Sequence, residues 1–254
     1  MNIVIITQDD PFYLAKNIDY LIENLPKGAK VVGCVVFDVS PFGKRESFTD
    51  KIKRTHQIFG TGFLIRYGIK FVLNKLDSST KVDKVLNKHN IPIITLDKRI
   101  NHEESLAKIG SYKPDLLVSI AGNQIFKQPL LDLAPKGCLN LHTALLPKYR
   151  GLMPTFWVLK NDEEFTGVSV FFVDEGIDSG PIVVQKKVAI NGMSQQDLIV
   201  LTKKLGMDAI NEAIDLIMKD EVKLIPNPEE EKSYFTFPTK EDVREFRRKG
   251  KRFY

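Results

Sequence analysis

The stretch CLNLHTALLPKYRG, Cys138–Gly151, combines the pattern of a buried strand with two polar side chains. Leu139 and Leu141 flank Asn140, as in a core strand. His142 follows at the point where the strand is expected to end. Residues two apart in a strand point to the same face, so Asn140 and His142 share one face and the leucines share the other. The stretch therefore predicts a strand that presents an amide and an imidazole side by side.

The chain before this stretch alternates between strand-like and helix-like patterns. Met1–Thr7 and Val31–Phe37 are apolar runs typical of strands, and Phe12–Leu25 between them has apolar residues at helical spacing. This order favours right-handed crossovers and a parallel sheet. The pattern continues with a helix, a strand, a helix, a strand and a helix: Val82–Lys88, Ile91–Leu96, Asn101–Ile109, Asp115–Ala121 and Gln128–Leu133.

A different pattern follows residue 166. GVSVFFV (167–173) and PIVVQKKVAI (181–190) predict two strands of an antiparallel hairpin, joined by the loop DEGIDSG. Ser194–Lys219 then has the spacing of one long helix, and the chain continues with an extended connection over 225–238 and a short basic helix over 240–249. We expect an α/β fold with a Rossmann-like, mostly parallel twisted sheet, an antiparallel hairpin and a short C-terminal extension. A catalytic domain would span 1–190, and 191–254 would pack on it.

The composition is that of an ordinary globular protein, with 43% hydrophobic and 27% charged residues among 254. Apolar runs are too short to span a bilayer, and the beginning MNIVIITQDD lacks the features of a secretory signal. Cys34 and Cys138 lie in strand-like runs, which predicts buried free thiols in a reducing compartment. We therefore expect a cytoplasmic location. Two cysteines and four scattered histidines give no zinc-ligand spacing, so no metal is expected.

The net charge of +5 is concentrated in two segments, KRESFTDKIKR (44–54) and REFRRKGKR (244–252). Nucleic-acid binding would need a basic stripe with stacking aromatic residues. Attraction of an anionic small substrate explains the same charge, and we favour it over a nucleic-acid partner.

The segment QIFGTGFLIRYGIKFVLNKL (57–76) is amphipathic, with Arg66, Lys70 and Lys75 off its apolar face. Three interpretations are open: a helix that packs on the sheet, a homodimer surface, or a helix on a membrane surface. We rank them in that order and do not expect a membrane partner.

The polar pair on the central strand suits chemistry at a carbonyl group. Asn140 could stabilise an oxyanion, and His142 could move a proton. The best orienting carboxylate is Asp178, which lies in a glycine-bracketed loop of the hairpin, whereas Asp174 in the same loop has the character of a turn residue. Since an isolated Asn-x-His pair is a weak signal, the residues alone leave a purely structural interpretation open.

Two linked motifs are more specific. NLHTALLPKYRG (140–151), followed by GVSVFFVDEGIDSGPI (167–182), resembles the formyltransferase superfamily, in which an Asn-x-His strand end and a later Asp loop supply the catalytic residues. This resemblance assigns those roles to Asn140, His142 and Asp178. It implies a Rossmann-like domain and an enzyme that uses N10-formyltetrahydrofolate and releases tetrahydrofolate.

The resemblance also implies a folate pocket, formed by the loop after the strand Asp115–Ala121 and by the hairpin loop. The residues that it assigns to the pocket are Gln124, Ile125, Phe126, Asp174, Glu175, Gly176 and Ile177.

The acceptor amine must be inferred from the rest of the chain. The loop TQDDPFYL (7–14) lacks the glycines that cradle a ribose phosphate, which argues against glycinamide ribonucleotide. The few residues after Lys219 argue against the added C-terminal domain of methionyl-tRNA formyltransferase. We therefore expect a nucleotide-linked amino-deoxy sugar as the small-molecule acceptor, with the other two acceptors as alternatives. A non-catalytic folate-binding module is a further alternative, which the intact trio argues against.

Overall fold

A six-stranded sheet forms the centre of the molecule, for which the computed structural model describes residues 1–39 and 47–254. Its strands are β1 (Asn2–Gln8), β2 (Lys30–Phe37), β3 (Leu116–Ser119), β4 (Cys138–His142), β6 (Phe165–Phe172) and β7 (Ile182–Ala189). A separate parallel pair joins β5 (Arg150–Gly151) to β8 (Tyr234–Phe235).

The order of strands in the large sheet is β2-β1-β3-β4-β6-β7. The first four strands are parallel, because helices cross over between them, whereas β6 and β7 form an antiparallel hairpin that continues the sheet from β4. The expected α/β architecture with an antiparallel hairpin is confirmed.

Helices cover both faces of this sheet. The helices in chain order are α1 (Leu14–Glu23), α2 (Phe48–Phe59), α3 (Thr61–Leu76), α4 (Val82–Lys88), α5 (Glu103–Gly110), α6 (Gln128–Leu131), α7 (Pro154–Lys160), α8 (Gln195–Met218) and α9 (Lys240–Arg248). Buried residues of α1, α4 and α8 form one core cluster with Leu139 and Leu141 of β4. Buried residues of α5 and α6 form a second cluster with Cys138 of the same strand. The central strand is therefore covered on both sides.

The helix α8 lies close to β4. A Cβ atom on Gly206 would fall 2.4 Å from Leu141 Cδ2, so only glycine permits this approach. The division of the chain near residue 190 stays a prediction, since α8 also contacts β6 and β7.

An aromatic cluster holds the C-terminal segment against α7. Phe156 stacks on Phe246 of α9 at 4.9 Å, and Phe246 stacks on Phe253 at 4.7 Å between ring centroids. Phe156 and Phe246 are completely buried. The aromatic residues at the end of the chain are therefore packed into the domain, while more than half of the residues in the extended connection 225–238 are exposed.

The predicted strand Ile91–Leu96 is wrong. This segment forms only an isolated bridge, between Ile93 and Cys34 of β2. Cys34 donates to the Pro92 carbonyl at 3.0 Å, and Ile94 donates to the Cys34 carbonyl at 2.8 Å. Pro92 has no N–H to extend the ladder, so the pairing stops at the edge of the sheet.

The amphipathic segment 57–76 also differs from the preferred interpretation. It is divided at Gly60, which has a φ of +83° and separates α2 from α3. The main contacts of α3 are with α2 and with the turn at Ser78–Thr80 rather than with a strand, so the interpretation as a helix packed on the sheet is wrong. Residues 44–46 of the basic segment 44–54 lie outside the described residues.

Both cysteines are free and buried, as expected. Burial raises the pKa of the Cys34 and Cys138 thiols because their thiolate forms would lose hydration.

Candidate active site

The strand β4 places Asn140 and His142 on one face, as its alternation predicts. Leu139 and Leu141 point to the other face and join the core beneath α8. Asn140 lies between Ser119 of β3 and Phe171 of β6. Both polar side chains are thus held in the middle of a sheet, where the backbone is fixed by neighbours on each side.

The imidazole of His142 is buried, with 6% of the residue exposed, and is held through both ring nitrogens. Nε2 lies 2.7 Å from the Tyr149 carbonyl oxygen, which can only accept, so we assign the proton to Nε2. Nδ1 lies 3.6 Å from Asp178 Oδ2. That distance exceeds a direct hydrogen bond but suits a proton-transfer group in the free enzyme, where such contacts are often long.

Tyr149 supplies this carbonyl from a constrained position. Its φ is +60°, its N–H donates to Ser233 Oγ at 2.8 Å, and its hydroxyl donates to Glu163 at 2.6 Å. Burial, together with the Glu163 carboxylate, raises the pKa of the Tyr149 phenol to about 12. The tyrosine therefore acts here as a fixed neutral support, with its backbone turned toward His142.

The carboxylate of Asp178 is positioned by the turn of its own loop and by a hydrogen bond from β5 of the β5–β8 pair. Asp178 has a φ of +50°, and its Oδ2 accepts a hydrogen bond of 2.8 Å from the Gly151 N–H. Asn227 Nδ2 donates to the carbonyl oxygens of both Asp178 and Gly180, each at 2.9 Å. A Cβ on Gly180 would fall 1.8 Å from the Phe172 carbonyl oxygen, so glycine is required where the loop returns to the hairpin.

Buried Arg150 connects the loop after β4 to the C-terminal segment. Its Nη2 donates to Asn227 Oδ1 at 2.9 Å, and its Nη1 donates to the carboxylate of Glu229. The segment around Asn227 thereby supports the backbone of Asp178. Sequence reasoning missed these residues because their partners are about 80 positions away along the chain.

The turn after His142 is held by a polar pair from the hairpin. Ser169 Oγ donates to the Ala144 carbonyl at 2.8 Å and accepts from the Leu146 N–H at 3.0 Å. Gln185 Nε2 donates to Ser169 Oγ at 3.0 Å and to the Leu146 carbonyl at 2.9 Å. The backbone beyond His142 is therefore fixed by the buried Ser169 and the half-buried Gln185.

The side chain of Asn140 contrasts with its surroundings. It is half-buried, and within residues 1–39 and 47–254 no hydrogen-bond partner is found for its amide. The N–H groups of the Asn140 amide can therefore donate hydrogen bonds to a ligand bound beside the imidazole of His142.

A cavity of about 820 Å³ lies beside the start of β4, and none of Asn140, His142 and Asp178 lines it. Cys138, two residues before Asn140, lines it, together with α6 and the hairpin loop. Of the seven residues predicted to bind the cofactor, Asp174, Glu175 and Gly176 line this cavity. Its volume is in the range of sites that hold organic ligands.

The other four predicted cofactor residues do not line the cavity. Phe126 is buried in the core cluster that also contains Cys138. Gln124 Oε1 accepts from the Ile100 N–H at 3.1 Å, while Ile125 and Ile177 are exposed. Their assignment to a folate site stays a prediction.

Asp174 has the geometry of a turn residue. Its Oδ1 accepts from the Gly176 N–H at 3.0 Å and from Ser179 Oγ at 2.6 Å. The side chain thus shapes the hairpin loop, and only its remaining surface faces the cavity.

The substitution Gly151→Ala is expected to lower both stability and activity. Gly151 has a φ of +93°, and an added Cβ would lie 2.2 Å from the Phe235 carbonyl oxygen in the β5–β8 pair. Left-handed strain alone costs about 1–3 kcal/mol, and relief of the clash would move the N–H that binds Asp178. We expect a lower melting temperature and slower formyl transfer.

Gly192→Ala is the matched control for this substitution. Gly192 also has a positive φ, of +69°, but a Cβ there would meet no atom within 4 Å. It should lose stability only through backbone strain and keep its activity. Equal effects of the two substitutions on activity would contradict the role given to the Gly151 N–H.

Comparison with known proteins identifies the family of this chain. The family model described as formyl transferase matches residues 69–214, more than half of the chain. The chain therefore belongs to the formyl transferase family, which is a family of enzymes.

Two similar curated proteins are bacterial methionyl-tRNA formyltransferases. The protein of Kosmotoga olearia is 37% identical over 167 residues, which cover 65% of this chain and 53% of the relative. That of Geobacter sulfurreducens is 36% identical over 138 residues, 54% of this chain and 43% of the relative. The chain thus spans about half the length of the curated relatives that it matches.

Solved structures share the fold at lower identity. A sugar N-formyltransferase from Shewanella aligns with a TM-score of 0.59 and 17% identity, covering 93% of this chain and 77% of that one. A phosphoribosylglycinamide formyltransferase from Anaplasma phagocytophilum aligns with a TM-score of 0.64 and 13% identity, covering 94% and 99%. These likenesses confirm the Rossmann-like architecture.

Proposed function

We propose that this protein transfers the formyl group of N10-formyltetrahydrofolate to a primary amine, with Asn140, His142 and Asp178 as its catalytic residues. The observation that carries the proposal is the arrangement around His142. Its Nε2 is held by the Tyr149 carbonyl, and its Nδ1 faces Asp178 beside an uncommitted amide. The family to which the chain belongs supports the same reaction class.

The cavity beside β4 supports a folate as the formyl donor. It is lined by the hairpin loop, by Gln128 and Leu131 of α6 and by Cys138 of β4, so both polar and apolar groups would face a bound ring. One related structure, a sugar 3N-formyltransferase, was determined in the presence of 5-N-formyl-THF. When bound, the donor supplies the electrophilic formyl carbon, and residues of this chain stabilise the developing charge and transfer the proton.

The three catalytic residues have separate roles in the proposal. The Asn140 amide donates to the formyl oxygen, where negative charge develops as the amine attacks. His142 takes up a second proton on Nδ1, and the Asp178 carboxylate, which faces the same nitrogen, stabilises the resulting imidazolium. The new amide C–N bond forms as the bond to folate N10 breaks, and one proton passes from the amine to N10 through this pair.

The loop after β1 argues against glycinamide ribonucleotide as the acceptor. The two carboxylate oxygens of Asp10 accept from the Phe12 N–H at 3.1 Å and the Tyr13 N–H at 3.2 Å. These are backbone donors of the kind that a phosphate would use at the start of a helix. A carboxylate already occupies them, and it would repel a phosphate.

Two acceptors remain, and different observations favour them. The curated relatives at 33–37% identity are named methionyl-tRNA formyltransferase, which favours the aminoacyl group of methionyl-tRNA. The basic net charge and the glycine-free first loop suggested a nucleotide-linked amino-deoxy sugar. The sequence relatives give the tRNA acceptor the stronger support, and the amino sugar is the second candidate.

A single assay separates these candidates. The purified protein is incubated with N10-formyltetrahydrofolate and, in parallel, with methionyl-tRNA, a panel of nucleotide-linked amino sugars, and glycinamide ribonucleotide. Mass spectrometry then detects an added formyl group on the acceptor. We expect formylation of one of the first two classes and none of the third.

The chemical proposal and the choice of acceptor fail in different ways. Release of tetrahydrofolate that His142→Ala abolishes, with no formylated member of the panel, would keep the reaction and reject these acceptors. Formylation that proceeds equally with wild type and His142→Ala would reject the assigned mechanism.

A further inference from the structure

The helix α3 displays a continuous apolar stripe to solvent. Five of its side chains lie on one face at helical spacing, and each is more than half exposed: Ile65 (58%), Ile69 (58%), Val72 (55%), Leu73 (61%) and Leu76 (79%). We call these five residues the α3 stripe. It extends over three turns, about 17 Å at 1.5 Å per residue. A contiguous exposed apolar surface of this kind marks an interaction site.

The opposite face of α3 is firmly held, so the stripe is presented in a fixed orientation. Phe63 stacks on Phe59 at 4.6 Å and meets the edge of Phe253 at 5.1 Å. Tyr67 packs on Phe12 at 4.7 Å between ring centroids. The Asn74 amide donates to the Pro11 carbonyl at 2.9 Å. The apolar stripe is therefore the outer side of a packed helix.

The charged residues within α3 are all cationic, and the first carboxylate after them belongs to Asp77, which caps the end of the helix. The sequence of α3 contains Arg66, Lys70 and Lys75 but no aspartate or glutamate. Arg66 lies over the ring of Tyr254 at 4.1 Å, and Lys70 lies over Tyr13 at 5.0 Å. In the described part of the chain no carboxylate comes within ion-pair distance of these three cations. Asp10 acts on Lys70 through its charge without forming an ion pair, so the cations beside the stripe are free to meet an anionic surface.

This charge pattern distinguishes a lipid surface from a second copy of the chain. Two copies joined along the stripe would bring together two helices that each carry three cations and no carboxylate within their own length. Five side chains of one helix also fall short of the roughly 20–30 residues a side of a stable protein interface. Anionic lipid headgroups complement the cations, and the acyl boundary accepts the apolar stripe.

The length of the helix indicates how it would meet a bilayer. No helix in residues 1–39 and 47–254 is long and apolar enough to cross a membrane. The 16 residues of α3 and its one-sided apolar face suit a helix that lies in the plane of the interface.

We propose that α3 docks this protein on anionic lipid bilayers, with the α3 stripe inserted at the headgroup boundary. The membrane-surface interpretation, ranked last from the sequence, thereby replaces packing on the sheet. The helix contacts Phe12 and Pro11, which follow β1, and the carboxyl end of β1 lies at the same edge of the parallel sheet as His142. Docking would therefore hold that edge of the enzyme close to the bilayer.

Vesicle binding by the full chain tests this proposal without reference to activity. The protein is sedimented with vesicles of phosphatidylcholine alone, or with about one third phosphatidylglycerol. We expect binding to the anionic vesicles that is about tenfold or more tighter and that weakens with added salt. The double substitution Ile69→Glu/Leu73→Glu should reduce the binding by about tenfold or more.

The matched control is Val200→Glu, which replaces another exposed apolar residue (53%) on α8. It should bind vesicles as the wild type does. Circular dichroism checks that each variant is folded. Binding that does not distinguish the two lipid mixtures, or that survives the double substitution, would overturn the proposal. So would a wild-type dimer in light scattering that the double substitution converts to a monomer without any effect of lipid.

Discussion

Replacement of His142 by alanine is expected to lower the kcat of formyl transfer by about 10²–10⁴-fold, the usual contribution of a general acid–base group. The reason is local. Nδ1 is the ring atom that faces Asp178, while Nε2 is committed to the Tyr149 carbonyl, so no other ring atom is available to carry the proton. Steady-state kinetics with N10-formyltetrahydrofolate and the identified acceptor would measure the loss.

The histidine is buried, so its removal needs a test of folding. Circular dichroism and the melting temperature show whether the sheet is intact. His142→Gln is the second variant, since an amide can donate to the Tyr149 carbonyl but cannot carry the transferred proton. His56→Ala, at an exposed histidine of α2, should keep full activity. An active His142→Gln variant would contradict the proton-transfer role.

Replacement of Asn140 by alanine is expected to lower kcat by about 10²–10³-fold, as found when one oxyanion donor is removed. Its amide has no partner in the described ranges of the chain, so its loss should leave no broken hydrogen bond behind. We therefore expect a folded variant with near-normal stability, in which KM changes less than kcat. Thermal unfolding and kinetics on the same preparation measure both quantities.

Asn140→Asp gives the sharper control, because it preserves shape and replaces the donor by a carboxylate. It should be at least as inactive as Asn140→Ala. Activity near that of the wild type in Asn140→Asp would show that the amide does not donate to the developing charge. The double variant with His142→Ala should lose less than the product of the two single effects, because groups that act as a unit are not additive.

Most of the sheet could be predicted from the sequence. The segments that form β1, β2, β4 and the hairpin are continuous or alternating apolar runs. This periodicity indicates a strand whichever elements pack against it. The shared face of Asn140 and His142 follows from the same period of two. Helices such as α8 were also predictable, since Ser194 caps its first turn and the apolar positions repeat along it.

The errors have a common physical origin. Ile91–Leu96 has the composition of a strand, but strand formation also needs hydrogen-bond partners on a neighbouring strand. Here only Cys34 of β2 provides them, at the edge of the sheet. The segment 57–76 has an amphipathic pattern that is the same for a helix facing a core, a partner or a membrane. Only the tertiary structure shows that the apolar stripe of α3 faces solvent while its aromatic residues pack inward.

The sequence by itself determined the α/β class, the strand that carries the amide and imidazole, and the resemblance that pointed to the formyl transferase family. These features depend on local periodicity and on motifs within short stretches. The tertiary structure decided which groups hold the site, because Tyr149, Gly151 and Asn227 act through backbone atoms and distant contacts. Such contacts join residues that are far apart in the sequence. The types and spacing of residues within a short stretch therefore do not predict them.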